Sequence, residues 1–198
     1  WASPRRSAAM QTARLYRLSE AEYLEGERLA DVRHEYVAGE VFAMTGTSRK
    51  HNTIAGNLYL LLRNALRGRG CGVFMSDLKV RVAAQSSYYY PDVVVTCAAS
   101  DLADDHAEVL ESPCLIVEVL SPSTAGIDRR EKRFAYRQLD SLTDYLLVEQ
   151  DIRRVELHRR TPEGWTLTVC DAPDDRLALM DGALDLPLTA LYEDSGVE

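Results

Sequence analysis

The chain has almost no lysine. Of its 23 basic residues 20 are arginine, and only Lys50, Lys79 and Lys132 carry a primary ammonium. Arginine cannot stand in where a compact point charge or a titrating ammonium is needed, so each lysine is a candidate for such a task as well as a plain surface charge. Long apolar runs are also missing. Leu58–Leu62 and Leu115–Val117 fall far short of the roughly 20 residues that span a bilayer. Residues 1–18 contain Arg5, Arg6, Arg14 and Arg17 but no apolar stretch, so no signal peptide is read there and a cytoplasmic location is expected. Cysteine is sparse and scattered. Cys71, Cys97, Cys114 and Cys170 form no CxxC or Cys/His cluster, and plain buried thiols are expected rather than disulfides or a zinc site. Positive charge is not in excess either: the net charge of -8 argues against tight nonspecific polyanion binding. A nucleic-acid function would need its cations concentrated locally.

What remains is an ordinary globular composition, 46% hydrophobic and 27% charged over 198 residues, enough for one domain with a buried core. Residues 1–13 read as an expression remnant or disordered extension with Met10 a candidate natural start, 14–192 as the domain, and 193–198 as a tail. Ser19 and Glu22 have capping-box spacing, which predicts a helix from about Ser19 to Arg28. His34–Met44 reads as two short strands turning at Ala38-Gly39. Ile54, Leu58, Leu61, Leu62 and Ala65 recur at helical spacing, predicting a helix from His51 to about Arg67. Strands are expected at Val73–Ala83, Tyr90–Thr96, Leu115–Leu120, Leu142–Gln150, Val155–Arg159 and Trp165–Val169. The first of these is read as one alternating strand, with Asp77, Lys79 and Arg81 on one face. Residues 98–112, with five acids and no Lys or Arg, read as a solvated loop. A helix is expected over Asp128–Leu139, and the segment from Asp171 reads as loosely patterned. The order predicts one mixed sheet flanked by helices, an α/β or α+β domain.

Two carboxylates stand out. Glu118 interrupts an otherwise apolar run, LIVEVL, where a buried charge is costly without a cation or metal. Asp92 opens YPDVVVT. If the strands from Val73, Tyr90 and Leu115 are neighbours, both acids can face one side, as hard oxygen ligands for Mg²⁺ or Mn²⁺; a buried ion pair of Glu118 with an arginine is the alternative. On a helical wheel Lys132 lies at the edge of a face formed by Ile127, Phe134, Ala135, Leu139 and Leu142, with Arg129, Arg130, Arg133 and Arg137 pointing to solvent. From there it can either offset phosphate charge or snorkel outward.

HEYVAGEVFAMTGTSRKHNTIAGNL, SDLKVRV, YPDVVV, LIVEVLSPST and DRREKRFAY together resemble the Uma2 family of the PD-(D/E)XK nuclease superfamily. The resemblance covers about Tyr16 to Trp165. It implies a restriction-endonuclease-like core of order α-β-β-β-α-β, with an extra N-terminal hairpin and a C-terminal hairpin. It also implies a metal-dependent endonuclease acting on DNA, the alternative being a weak or inert nuclease-like module that binds nucleic acid or a protein. Mg²⁺ or Mn²⁺ is implied at Asp92, Glu118, the Val119 carbonyl and Glu35, the family's early Glu. His51 corresponds to the family's His, as general base or phosphate donor, or as a structural hydrogen-bonding group. The superfamily lysine is displaced, since Leu120 stands two residues after Glu118. Lys132 is its inferred replacement and Lys79, sharing a strand face with Asp77, the rival. Arg49 and Lys50, with Arg63, Arg67 and Arg69, are expected to meet DNA phosphates. Tyr88, Tyr89 and Tyr90 either stack on bases or pack in the core. A homodimer is expected, since cutting both strands of a duplex favours two-fold symmetry.

Overall fold

The computed structural model describes residues 17–197, so the expectation for residues 1–13 lies outside the described residues. The order is α1 (Glu20–Leu29), β1 (His34–Val37), β2 (Glu40–Ala43), α2 (Arg49–Ala65), β3 (Gly72–Met75), β4 (Lys79–Val82), β5 (Ser87–Tyr89), β6 (Val93–Thr96), β7 (Val109–Leu110) and β8 (Pro113–Leu120). Then come α3 (Ala125–Ile127), a π-helical turn (Asp128–Lys132), α4 (Arg133–Tyr136), β9 (Asp144–Glu149), β10 (Val155–Thr161) and β11 (Gly164–Cys170). A last hairpin, β12 (Arg176–Leu179) and β13 (Leu184–Pro187), leads into α5 (Leu188–Leu191). The expected core order survives as α2-β3-β6-β8-α3/α4-β9, and the fold is mixed α+β. Among the described residues no helix is long and apolar enough to cross a membrane.

Local chemistry explains the first elements. The Ser19 hydroxyl accepts from the Glu22 backbone N–H while the Glu22 carboxylate accepts from that of Ser19, a closed capping box at the start of α1. Ser48 caps α2 by accepting from the His51 N–H, which starts that helix two residues earlier than periodicity alone suggests. Ala38 and Gly39 both take positive φ, the backbone that a tight two-residue hairpin turn demands, and join β1 to β2.

In place of the single expected sheet there are two larger ones, besides the two-stranded β12-β13 sheet. A six-stranded sheet runs β11-β10-β9-β8-β6-β3, and a five-stranded sheet runs β2-β1-β5-β4-β7. The expected strand Val73–Ala83 is split between them. Ser76 takes positive φ, breaking the alternation, so β3 joins the larger sheet and β4 the smaller. Within the expected solvated loop, Val109 and Leu110 pair with β4. The segment after Asp171 is not loose: Leu177, Leu179, Leu184, Leu186, Leu188 and Leu191 are all buried in the core beneath α2. That core fills one face of the larger sheet, and a second core, with Tyr136, Tyr145 and Tyr89, fills the other face beneath the smaller sheet and α4.

The expectation of free thiols is corrected at one pair, since Cys71 and Cys97 are disulfide-bonded. They flank β3 and β6, whose antiparallel register pairs Gly72 with Thr96; extended by one residue, it sets the two cysteines opposite each other. Sequence spacing alone carries no trace of that adjacency. Cys114 and Cys170 are free.

Candidate active site

The strands β6 and β8 pair with Val93 opposite Val117. Continuing that antiparallel register by one residue sets Asp92 opposite Glu118, and directly opposed residues share a face. Both line one cavity of about 320 Å³, with Glu35, His51, Asp128 and Lys132. Glu35 arrives from the other sheet on β1. The cavity therefore lies where the β1–β2 hairpin meets the end of the larger sheet, and four separate segments supply its acids: β1, the residue before β6, β8 and the π-helical turn.

Lys132 is the hub. Its ammonium lies 2.8 Å from Glu35 Oε1, 3.2 Å from Glu118 Oε1 and 3.3 Å from Asp128 Oδ1. One ammonium is thus ion-paired with three carboxylates, and it donates a hydrogen bond to Glu118 Oε1. The π-helical turn places it: a π turn shifts the side chains that follow it off the α-helical wheel, and such turns recur at functional sites. This also overturns the expected wheel. Ile127 and Phe134 are exposed while Lys132 is buried, and Arg129 ion-pairs with Glu149 and Glu156 instead of extending into solvent.

Electrostatics follow from that crowding. Burial alone would lower the Lys132 pKa, but Glu118, Glu35 and Asp128 outweigh it and hold the ammonium firmly protonated. Burial pushes the Glu118 carboxyl well above its usual range; Lys132 opposes this, and Asp128, Asp92 and Glu35 add to it. Asp128 is raised by burial too, against the pull of Lys132. One ammonium is too little positive charge for these acids. The Tyr136 hydroxyl donates to Glu118 Oε1 at 2.9 Å, and the Tyr90 backbone N–H donates to Glu35 Oε1 at 3.3 Å. Asp92 Oδ2 accepts from the Val119 N–H at 2.7 Å and lies 3.2 Å from His51 Nε2. Burial disfavours the imidazolium, yet the hydrogen bond and charge of Asp92 raise the His51 pKa. His51 is thus bound to an acid rather than standing free as a base.

Of the expected site residues, Asp92, Glu118, Lys132, Glu35, His51 and Val119 line the one cavity. The alternative pairing of Glu118 with an arginine is replaced by Lys132 and Tyr136. Lys79 lies elsewhere, 3.4 Å from Glu108, and Asp77 pairs with Arg33 instead of Lys79. Lys50 ion-pairs with Asp151 and Arg49 is exposed at the start of α2, both outside the lining. Arg67 is 16 residues beyond His51, roughly 24 Å along a helical axis. Tyr88, Tyr89 and Tyr90 are buried, as packing groups are, and Tyr90 also lines the cavity. Two residues escaped the sequence reading, Asp128 and Tyr136. Their spacing of four residues on either side of Lys132 was the available signal.

The donors are hard carboxylate oxygens carrying surplus negative charge, and Asp128 Oδ1 is buried without a hydrogen-bond partner. In chemistry and charge that set suits a divalent cation. Among the described residues no three His, Cys, Asp or Glu side chains are grouped as an ion would need, because the acids are gathered about the ammonium.

The fold is mixed α+β, with an acidic cluster about one ammonium at the end of the larger sheet. A crystal structure from Anabaena variabilis, described as a putative nuclease belonging to DUF820, superposes with a TM-score of 0.73 at 18% identity, covering 88% of this chain and 97% of that one. The chain belongs to the Uma2 family, described as "Putative restriction endonuclease", which matches residues 20–190. Two relatives from Synechocystis sp. are uncharacterized proteins: slr1290, 36% identical over 89% of this chain and 92% of its own length, and sll1609, 37% identical over 76% and 86%.

Proposed function

We propose that the protein is a metal-dependent endonuclease that hydrolyses DNA phosphodiester bonds. The observation that carries this reading is the opposition of Asp92 and Glu118 on neighbouring strands, in one cavity with the Lys132 ammonium. Asp92 and Glu118, with the Val119 carbonyl and Glu35, would hold Mg²⁺ or Mn²⁺, which when bound lowers the pKa of a water and polarises a phosphate. His51 and the Val119 N–H both engage Asp92 Oδ2, which fixes the carboxylate and leaves Oδ1 for a ligand. Tyr136 does the same for Glu118. Lys132 offsets the negative charge that builds on the phosphoryl group.

The experiment is a metal titration followed by thermal melting, run beside a plasmid-nicking assay. Mg²⁺ or Mn²⁺ should raise the melting temperature of the wild type, and Asp92→Asn should lose both that shift and nicking. Nicking by wild type and Asp92→Asn at equal rates would refute the reading.

A further inference from the structure

Among the described residues the cavity's lining contains a single Lys or Arg side chain, Lys132, and it is already ion-paired with three carboxylates. Proteins that grip duplex DNA do so by setting several Lys and Arg side chains against its phosphates. Among the described residues this cavity offers no such row. Its rim is instead apolar or uncharged. Phe42 pairs directly across β1–β2 with Glu35, so its ring stands on the same face as that acid, yet it remains 50% exposed. Ile127 is 48% exposed and also lines the cavity. Large apolar side chains left open beside a buried acidic floor present apolar surface to whatever enters. Thr45, Thr47, Ser121 and Ser123 add uncharged hydroxyl donors and acceptors to the same lining. Such groups read the hydrogen-bonding edge of a base, while cations read phosphates. A volume of about 320 Å³ is at the scale of a small-molecule pocket, which admits one nucleotide unit and not a stacked, paired helix.

From this chemistry we infer that the cavity takes an unpaired nucleotide, in a single strand or extruded from a duplex, with its base against Phe42 and Ile127. The inference rests on the nuclease reading of the same site and narrows its substrate to strands that present an unstacked base. A base taken out of its helix must be held by stacking and edge contacts, which this rim supplies. The acidic floor then meets the backbone of that one nucleotide, with no need for the chain, at a net charge of -8, to track a duplex.

The test is binding in Ca²⁺, with four fluorescent probes of one sequence: single-stranded DNA, single-stranded RNA, a perfect DNA duplex, and that duplex with one unpaired central nucleotide. The unpaired position carries 2-aminopurine, whose emission reports stacking. The single strands or the interrupted duplex should bind at least about tenfold more tightly than the perfect duplex. Binding of both DNA and RNA strands would place recognition on the base, and binding of DNA alone would add discrimination at the sugar. Loss of one stacking surface weakens such binding by about fivefold or more, so Phe42→Ala should lose most of the preference and the emission change, and Phe42→Trp should keep both. Phe42 is half exposed on an edge strand, so an unchanged melting temperature is expected of both variants. Equal or tighter binding of the perfect duplex, no binding of any probe, or a Phe42→Ala protein with its preference intact would each overturn the inference. If the unpaired probes bind selectively but none is cut in Mg²⁺ or Mn²⁺, the nuclease reading falls and this one stands. If perfect duplex is cut as fast as single strand, the preference for unpaired nucleotides falls and the nuclease reading stands.

Discussion

Replacing Lys132 by methionine removes the one ammonium shared by Glu35, Glu118 and Asp128 while keeping a similar side-chain volume. Glu118 and Asp128 are almost fully buried, so they are left as uncompensated charges, a loss of about 3–5 kcal/mol when one partner of a buried pair is removed. The carboxylates have an escape, which is to take up a proton. Holding Glu118 neutral costs about 1.4 kcal/mol for each pH unit above its ordinary value of 4.5, hence about 3 kcal/mol at pH 7 and under about 1 kcal/mol at pH 5. An acid whose folded pKa is raised binds more protons in the native state, so the variant's stability is retained at low pH and lost as pH rises. Urea unfolding of wild type and Lys132→Met at pH 5 and pH 7 should therefore show a deficit of about 3 kcal/mol at pH 7 that shrinks by more than half at pH 5. Adding Glu118→Gln should recover part of the deficit at pH 7, since the charge that lost its partner is then gone. A deficit of equal size at both pH values, with no recovery in the double variant, would refute the account of Lys132 as the counter-charge of the cluster.

Tyr136→Phe deletes one hydrogen bond to a buried charged group and should cost about 1.5–3 kcal/mol in urea unfolding, less than Lys132→Met at pH 7. His158 is 1% exposed and its pKa is lowered to about 4, by burial first and then by Arg133 and Arg137. Because its folded pKa lies below the unfolded one, the unfolded chain binds more protons between about pH 4 and pH 6.5, and stability rises with pH across that window. The difference between wild type and His158→Phe should change by on the order of 2 kcal/mol over that range; parallel pH profiles would contradict it. Leu186→Ala should cost about 2–5 kcal/mol, as for a core leucine, whereas a loosely docked C-terminal hairpin would lose under about 0.5 kcal/mol.

Much of the scaffold was legible in the sequence because it is written in local chemistry. The capping box at Ser19, the Ala38-Gly39 turn, the periodic leucines of α2 and the apolar runs around Glu118 each act over a few residues. The alternation from Val73 to Ala83 misled because periodicity registers which side chains are apolar and says nothing of where the chain changes sheets; one positive φ at Ser76 decided that. The leucines after Asp171 were similarly muted, since a short hairpin buried from one side by α2 shows too few periods to register.

The sequence by itself determined which side chains were anomalous. A carboxylate inside LIVEVL and a lysine in an arginine-rich helix are visible without coordinates, because burying a charge is costly wherever it happens. Only the tertiary structure decided who answers whom. Glu35 and Lys132 are 97 positions apart in sequence, yet lie 2.8 Å apart because a hairpin of one sheet closes over the end of another. Strand pairing within the larger sheet joined Cys71 to Cys97, and the closing hairpin left Phe42 open at the rim. Long-range contacts of this kind depend on how two sheets dock, and docking is set by the summed shape of both cores rather than by any run of neighbouring residues.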